Sequence, residues 1–371
     1  MSAESSTLAR CTELDRRLVA AVKGIRVLGM VSWPARVQSA FLAQWHKGNP
    51  RLPSIDYARP GFAQARAEIE AIHAAADATH PVGDYIRRSA DSWRTATLML
   101  DAVGDAEFTR HSIDLYGRPG SRVPGSELSN TDAARHFISL ADELDHEVLA
   151  READYCIPAD VLREELQGQL DSFFGREVVR VEVDDQLISK AAAGATRIRL
   201  RSATCFSEHD RSQLLEHEAF VHTLTALNGR RQPQLASLAL SSPRITATQE
   251  GLAVFAELMT GSLDIERIKR ISLRILAIDM ALHGADFIEV FRYFLDAGQT
   301  EADSFSSTQR VFRGSPVEGG SAFTKDVVYL HGLLSVHTFF RWALKHQKLN
   351  LCRNLFAGKM SLHDVVALEA Q

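Results

Sequence analysis

Two short stretches with a two-residue period interrupt a chain that otherwise repeats every three to four residues. Val178-Val179-Arg180-Val181-Glu182-Val183 is β-branched and alternates over its second half. Thr196-Arg197-Ile198-Arg199-Leu200-Arg201 alternates cleanly, with Ile198 and Leu200 on one face and three arginines on the other. Such runs read as half-buried strands. On both sides the apolar spacing is helical. Residues 12–30, 61–77, 84–103 and 131–151 carry it before the strands. Residues 246–261, 264–284, 286–296, 300–313 and 325–346 carry it after them. Asn49-Pro50-Arg51-Leu52-Pro53 and the segment 116–125, dense in Gly and Pro, read as loops. The fold class expected is therefore mainly α (α+β), with a small antiparallel β element. A helical N-terminal region, 1–150, would pack on a second region, 151–371, to form one compact unit.

Charge and cysteine usage narrow the function. The chain has 371 residues, with 42 Lys+Arg against 47 Asp+Glu and a formal net charge of −5. A nucleic-acid binder usually shows a basic excess, so no nucleic-acid partner is expected. Cys11, Cys156, Cys205 and Cys352 are scattered and form no CxxC pair. They read as reduced thiols of a cytoplasmic protein. The apolar stretch 18–33 is broken by Lys23 and Arg26, and 327–344 carries His331, His337 and Arg341. Neither would cross a bilayer cheaply, so no membrane partner is expected. No feature of the pattern specifies an oligomeric state.

The β element leads directly into Leu214-Leu215-Glu216-His217-Glu218-Ala219-Phe220-Val221-His222. Ser207 can cap this helix, and Asn228-Gly229 would end it. Two histidines and a carboxylate on one helix are what a zinc hydrolase needs: imidazoles to hold the ion and a base beside it. The spacing is unusual. Histidines five apart on a regular helix diverge by about 140°. Only a π-type turn, with i→i+5 bonds, returns them to one face. A third ligand is still required. Thr246 opens a Thr-x-x-Gln capping pattern, and Glu250 follows in the first turn of that helix.

Taken together, His217-Glu218-x-x-x-His222, Asn228-Gly229 and Gln249-Glu250-Gly251-Leu252-Ala253 resemble the bacterial flavohaemoglobin-expression-modulating QEGLA-motif proteins. That family is related to the microtubule-associated tyrosine carboxypeptidases of animals. Tyr116-Gly117-x-Pro119, Arg310-Val311-Phe312-Arg313-Gly314 and Phe323-Thr324-Lys325-Asp326-x-x-Tyr329-Leu330 match as well, so the resemblance covers about residues 50–371. It implies one zinc ion per chain, held by His217, His222 and Glu250 in a gluzincin-like arrangement, with Glu218 as general base. Dipeptidyl peptidase III is similar in its one-residue-longer motif. The chain departs from its relatives inside the motif, where bulky Phe220 replaces a small residue and would reshape the pocket.

The activity expected is that of a zinc metallocarboxypeptidase removing a C-terminal residue, tyrosine or another aromatic, from a peptide or protein. Arg310, Arg313 and Lys325, in the matched motifs, are the expected cations for the substrate carboxylate. Tyr329 is the expected donor to the developing oxyanion. Strand 196–201 could pair with extended substrate by β-addition. The alternative is a zinc-binding regulatory protein without turnover. Glu218 argues against it, because a purely structural site needs no base and usually has four protein ligands.

Overall fold

Helix accounts for 65% of the chain and strand for 5%, so the mainly α class holds. The computed structural model describes residues 3–145, 156–185, 187, 190–202 and 204–369. Most of the helical spacings become helices close to their expected bounds, among them Ala63–Ala75, Pro81–Asp101, Thr246–Thr260 and Ile265–Leu282. The expected helix 131–151 is Asn130–Asp145 as far as it is described, and its last residues lie outside the described residues. Residues 12–30 are not one helix. The first helix, Ala3–Val22, stops before Lys23-Gly24, and a short turn of helix, Val27–Met30, follows. Within Ser6–Trp45 one 18-residue window is apolar enough by composition to cross a membrane. The chain breaks there into Ala3–Val22, Val27–Met30 and Ala35–Trp45.

Two compact units are present, each assembled from three stretches of chain. The first comprises Met1–Ile138, Ser242–Thr246 and Lys269–His331. The second comprises Ser139–Ser241, Ala247–Ile268 and Gly332–Gln371. This differs from a division at residue 150. The reason lies in the first unit's core, where Trp33 and Phe41 from the N-terminal stretch pack with Phe287, Phe291, Phe305 and Phe312 from a distant one. Trp33 stacks on Phe287 at 5.6 Å between ring centroids, and Phe41 meets Phe291 edge-on at 4.9 Å. Aromatic burial on this scale outweighs proximity along the chain.

In the second unit, strands Arg180–Asp184, Ala191–Ala193 and Arg197–Arg201 form one sheet. Arg197–Arg201 is its central strand, parallel to the first and antiparallel to the other. Ile198 and Leu200 face the core as their alternation requires, packing with Leu162, Leu166 and Leu170 of helix Ala159–Phe174 and with Leu214 and Ala219. The opposite face is charge-compensated. Arg197 lies 3.4 Å from Glu182 and Arg199 lies 3.0 Å from Asp184. Both edges of the central strand are taken, so extended substrate cannot add to it.

A second, two-stranded antiparallel sheet pairs Ile157–Pro158 with Cys205–Phe206. Its register brings the Cα atoms of Cys156 and Cys205 to 4.9 Å, and the two thiols are joined in a disulfide. This corrects the expectation of four reduced thiols. Cys11 and Cys352 are free and buried. The pairing depends on strand register, which the 49-residue separation of the two cysteines gave no means of reading.

Candidate metal centre

The helix that follows Cys205–Phe206 begins with a capping box. The Ser207 hydroxyl accepts from the Asp210 backbone, and the Asp210 carboxylate accepts from the Ser207 backbone. After Glu208–Gln213 the backbone leaves α geometry and winds as a π-helix from Leu214 to Thr223, then returns to α-helix over Leu224–Arg231. The i→i+5 spacing of His217 and His222 demands this. Their rings now lie 4.8 Å apart and nearly perpendicular, at 82°. Asn228-Gly229 does not end the helix. Gly229 is inside the helix, and a side chain is excluded there because a Cβ would meet the Leu238 carbonyl oxygen at 2.1 Å, so this is a site of close packing.

Glu250 arrives from helix Thr246–Thr260. A 3₁₀ turn, Pro243–Ile245, leads into that helix, and Thr246 is its first residue. The helix is held close against the one that follows Lys325. A Cβ on Gly251 would stand 2.2 Å from the Gly332 carbonyl carbon, and one on Gly332 would stand 2.1 Å from the Ala247 oxygen. The two glycines thus set how near Glu250 can stand to its neighbours. Next to it, Gln249 is buried, its Oε1 accepting from the Thr225 hydroxyl at 3.0 Å.

The result is a cluster in which one ligand atom from each of His217, His222 and Glu250 lies within 4.8 Å of the others. The Glu250 Oε2 atom is 3.4 Å from His217 Nε2 and 3.7 Å from His222 Nε2. A tetrahedral ion with bonds of 2.0–2.1 Å has ligand–ligand edges of about 3.4 Å, so the donor set suits one small ion with a position left open. Glu218 is half-buried on the same turn.

Behind His217 lies a support that sequence reasoning missed. His217 Nδ1 is 2.5 Å from Glu257 Oε1, and Glu257 is fully buried. Arg267 in turn donates to both Glu257 oxygens, through Nη2 at 2.7 Å and through Nε. The Gln213 amide, with its oxygen turned toward Arg267, accepts from that guanidinium at 2.9 and 3.0 Å. A carboxylate on Nδ1 fixes the ring tautomer and leaves Nε2 directed at the cluster. Electrostatics follow the geometry. Burial alone would lower the His217 pKa, but Glu250 and Glu257 overturn it and push it up to about 10. Burial would raise the Glu257 pKa, while His217 and Arg267 bring it below the ordinary carboxylate range. The one sequence signal for Glu257 is its place seven residues after Glu250, two turns along the same helix face.

Phe220 packs 4.6 Å from Phe173 and 6.3 Å from Phe174. Its bulk is thus taken up against helix Ala159–Phe174.

Arg310, Arg313, Lys325 and Tyr329 lie in the first unit, where they gather around Asp326. Arg310 grips the Asp326 carboxylate at 2.5 and 2.8 Å, and Arg274 lies 3.8 Å from it. The Tyr329 hydroxyl accepts from Lys325 at 2.9 Å and from Arg310 at 3.4 Å. Burial opposes the charge on Asp326, but Arg310 and Arg274 hold its pKa well below the usual range. Burial and then Arg310 push the Arg313 pKa down to about 10, and its side chain lies over the Phe323 ring.

The fold and cluster define a mainly α protein with a His-His-Glu group of the kind that holds a single ion. The chain belongs to the microtubule-associated tyrosine carboxypeptidase family, whose model matches residues 39–371. It is thus placed among peptidases, which act on peptides or proteins. A search of curated proteins gives no match.

Proposed function

We propose that the protein is a zinc-dependent metallocarboxypeptidase of the QEGLA-motif type, removing the C-terminal residue of a peptide or protein. The observation that carries this reading is the convergence within 4.8 Å of Glu250 with His217 and His222, the two histidines standing on a π-helical segment. A π-helix is rare, and such segments occur frequently at functional sites. Zinc supplies Lewis acidity and an activated water near neutral pH. His217 and His222 hold it through Nε2, and Glu250 through a carboxylate oxygen. Glu218 follows His217 directly. It takes a proton from the attacking water and delivers it to the leaving amine. Glu257 and Arg267 keep His217 in register. Family membership supports a C-terminal aromatic residue, tyrosine first, as the group removed.

Metal analysis of the purified protein tests the ligand set. We expect one zinc per chain, lost in His217→Ala, His222→Ala and Glu250→Ala. Undiminished zinc in all three variants would refute the assignment. Glu257→Gln should keep zinc at saturation but bind it about 10- to 100-fold more weakly, the usual effect of removing a carboxylate behind a metal-bound histidine. Competition against a chromogenic chelator measures this. Unchanged affinity would show that Glu257 serves packing only.

A further inference from the structure

Glu250 has to meet two histidines that stand on another helix, so the rotation of its own helix matters. Side chains reach about 5–6 Å from a helix axis, and a turn of about 10° carries a carboxylate at that radius by about 1 Å. The neighbours of Glu250 resist such a turn, each against a different element of the second unit. The Thr248 hydroxyl accepts from the Leu362 backbone N–H at 3.1 Å. Gly251 packs directly on the backbone of Gly332. Gln249 faces the helix that continues from the histidines, where its Oε1 accepts from the Thr225 hydroxyl at 3.0 Å.

Thr225 stands just past the point where the π-helix Leu214–Thr223 gives way to the α-helix Leu224–Arg231. Its hydroxyl also lies 2.7 Å from the Val221 carbonyl oxygen and 3.3 Å from that of His222, so one proton is shared among three acceptors. Through this hydroxyl the backbone of His222 is joined to the side chain next to Glu250. Thr225 is fully buried, and Gln249 is only 4% exposed. Among the described residues the Gln249 Nε2 atom has no acceptor. Buried polar atoms ordinarily have a partner, and an unpaired donor lowers stability. An apolar side chain of the same length would fill the space without that penalty. It would lack direction, because apolar burial is non-directional and does not set the rotation of one helix on another.

We infer that Gln249 is a positioning residue, whose hydrogen bond to Thr225 sets Glu250 opposite His217 and His222 and so tightens metal binding. An amide with one atom unpaired is a poor choice for packing alone. It is a good choice for fixing a helix whose next residue is a ligand. The inference rests on the ligand set proposed above and adds to it the contact that registers the third ligand against the other two.

The test removes the bond from either side with little change in volume, by Gln249→Met and by Thr225→Val. Competition against a chromogenic chelator should show zinc bound about tenfold more weakly by Gln249→Met, the lower end of what groups behind metal ligands contribute. Thr225→Val should lose a similar amount, and the double variant no more than either alone, because the same bond is removed twice. Thr225→Ser keeps the hydroxyl and should keep the affinity, a contrast that survives if Gln249→Met folds poorly. The melting temperature of metal-free Gln249→Met should not fall, since the substitution removes an unpaired buried donor. In cobalt-substituted protein the visible absorption of Gln249→Met should differ from that of the unmodified chain, because Glu250 shifts within the ligand set. Unchanged zinc affinity, an unchanged cobalt spectrum, losses that add in the double variant, or an affinity that falls together with the melting temperature would overturn the inference and leave the ligand set standing. Failure of the unmodified protein to bind zinc would overturn the ligand set and the inference with it.

Discussion

Glu218→Gln should keep its fold and its zinc and lose peptide cleavage by about 100- to 10,000-fold, the share that a positioned general base contributes. Glutamine matches glutamate in size and polarity but cannot accept a proton. The residue is half-buried beside His217, on the turn where the backbone winds as a π-helix, so the substitution leaves the ligand set alone. Zinc stoichiometry and circular dichroism verify that part, and mass spectrometry of digested peptides reads the turnover. Retained cleavage would remove Glu218 from the mechanism. Absence of cleavage in the unmodified, zinc-loaded protein would favour the regulatory reading, in which the site binds metal and does no chemistry.

Arg310→Ala should destabilise the protein by about 3–5 kcal/mol, because removing one partner of a buried pair strands the other charge. Asp326 is only 3% exposed and takes two hydrogen bonds from Arg310, at 2.5 and 2.8 Å. Arg274 alone, at 3.8 Å, replaces neither bond. Urea unfolding measures the loss. Arg310→Ala combined with Asp326→Asn should recover part of it, since no uncompensated carboxylate then remains. A cation for the substrate carboxylate, as Arg310 was expected to be, would instead raise KM on substitution by alanine and leave stability intact. That outcome would return Arg310 to substrate binding.

The centre was legible to the extent that its chemistry is local. Histidines five apart with a glutamate between them can share one ion only if the helix is underwound, with i→i+5 bonds and more residues in each turn, and the chain does this from Leu214 to Thr223. Ser207 was readable as a cap because the box it makes with Asp210 spans three residues. Glu250 needed the resemblance, since a lone glutamate in a first turn ordinarily does no more than favour the helix dipole.

What tertiary structure decided is everything that depends on which surfaces meet. Gly229 has the sequence look of a helix stop, yet it is the point where Leu238 presses on the helix. Glu257 looks like any mid-helix carboxylate until burial leaves His217 and Arg267 as its partners. Cys156 and Cys205 are bonded through a strand register that no cysteine spacing encodes. Arg310 was read as a cation for substrate, and packing made it the partner of Asp326. The sequence by itself determined the backbone distortion that the five-residue spacing of His217 and His222 requires, because it follows from helical geometry over a few residues. Only the folded chain decided which charges are neutralised inside it, as Asp326 is by Arg310, because desolvation depends on neighbours far away in sequence.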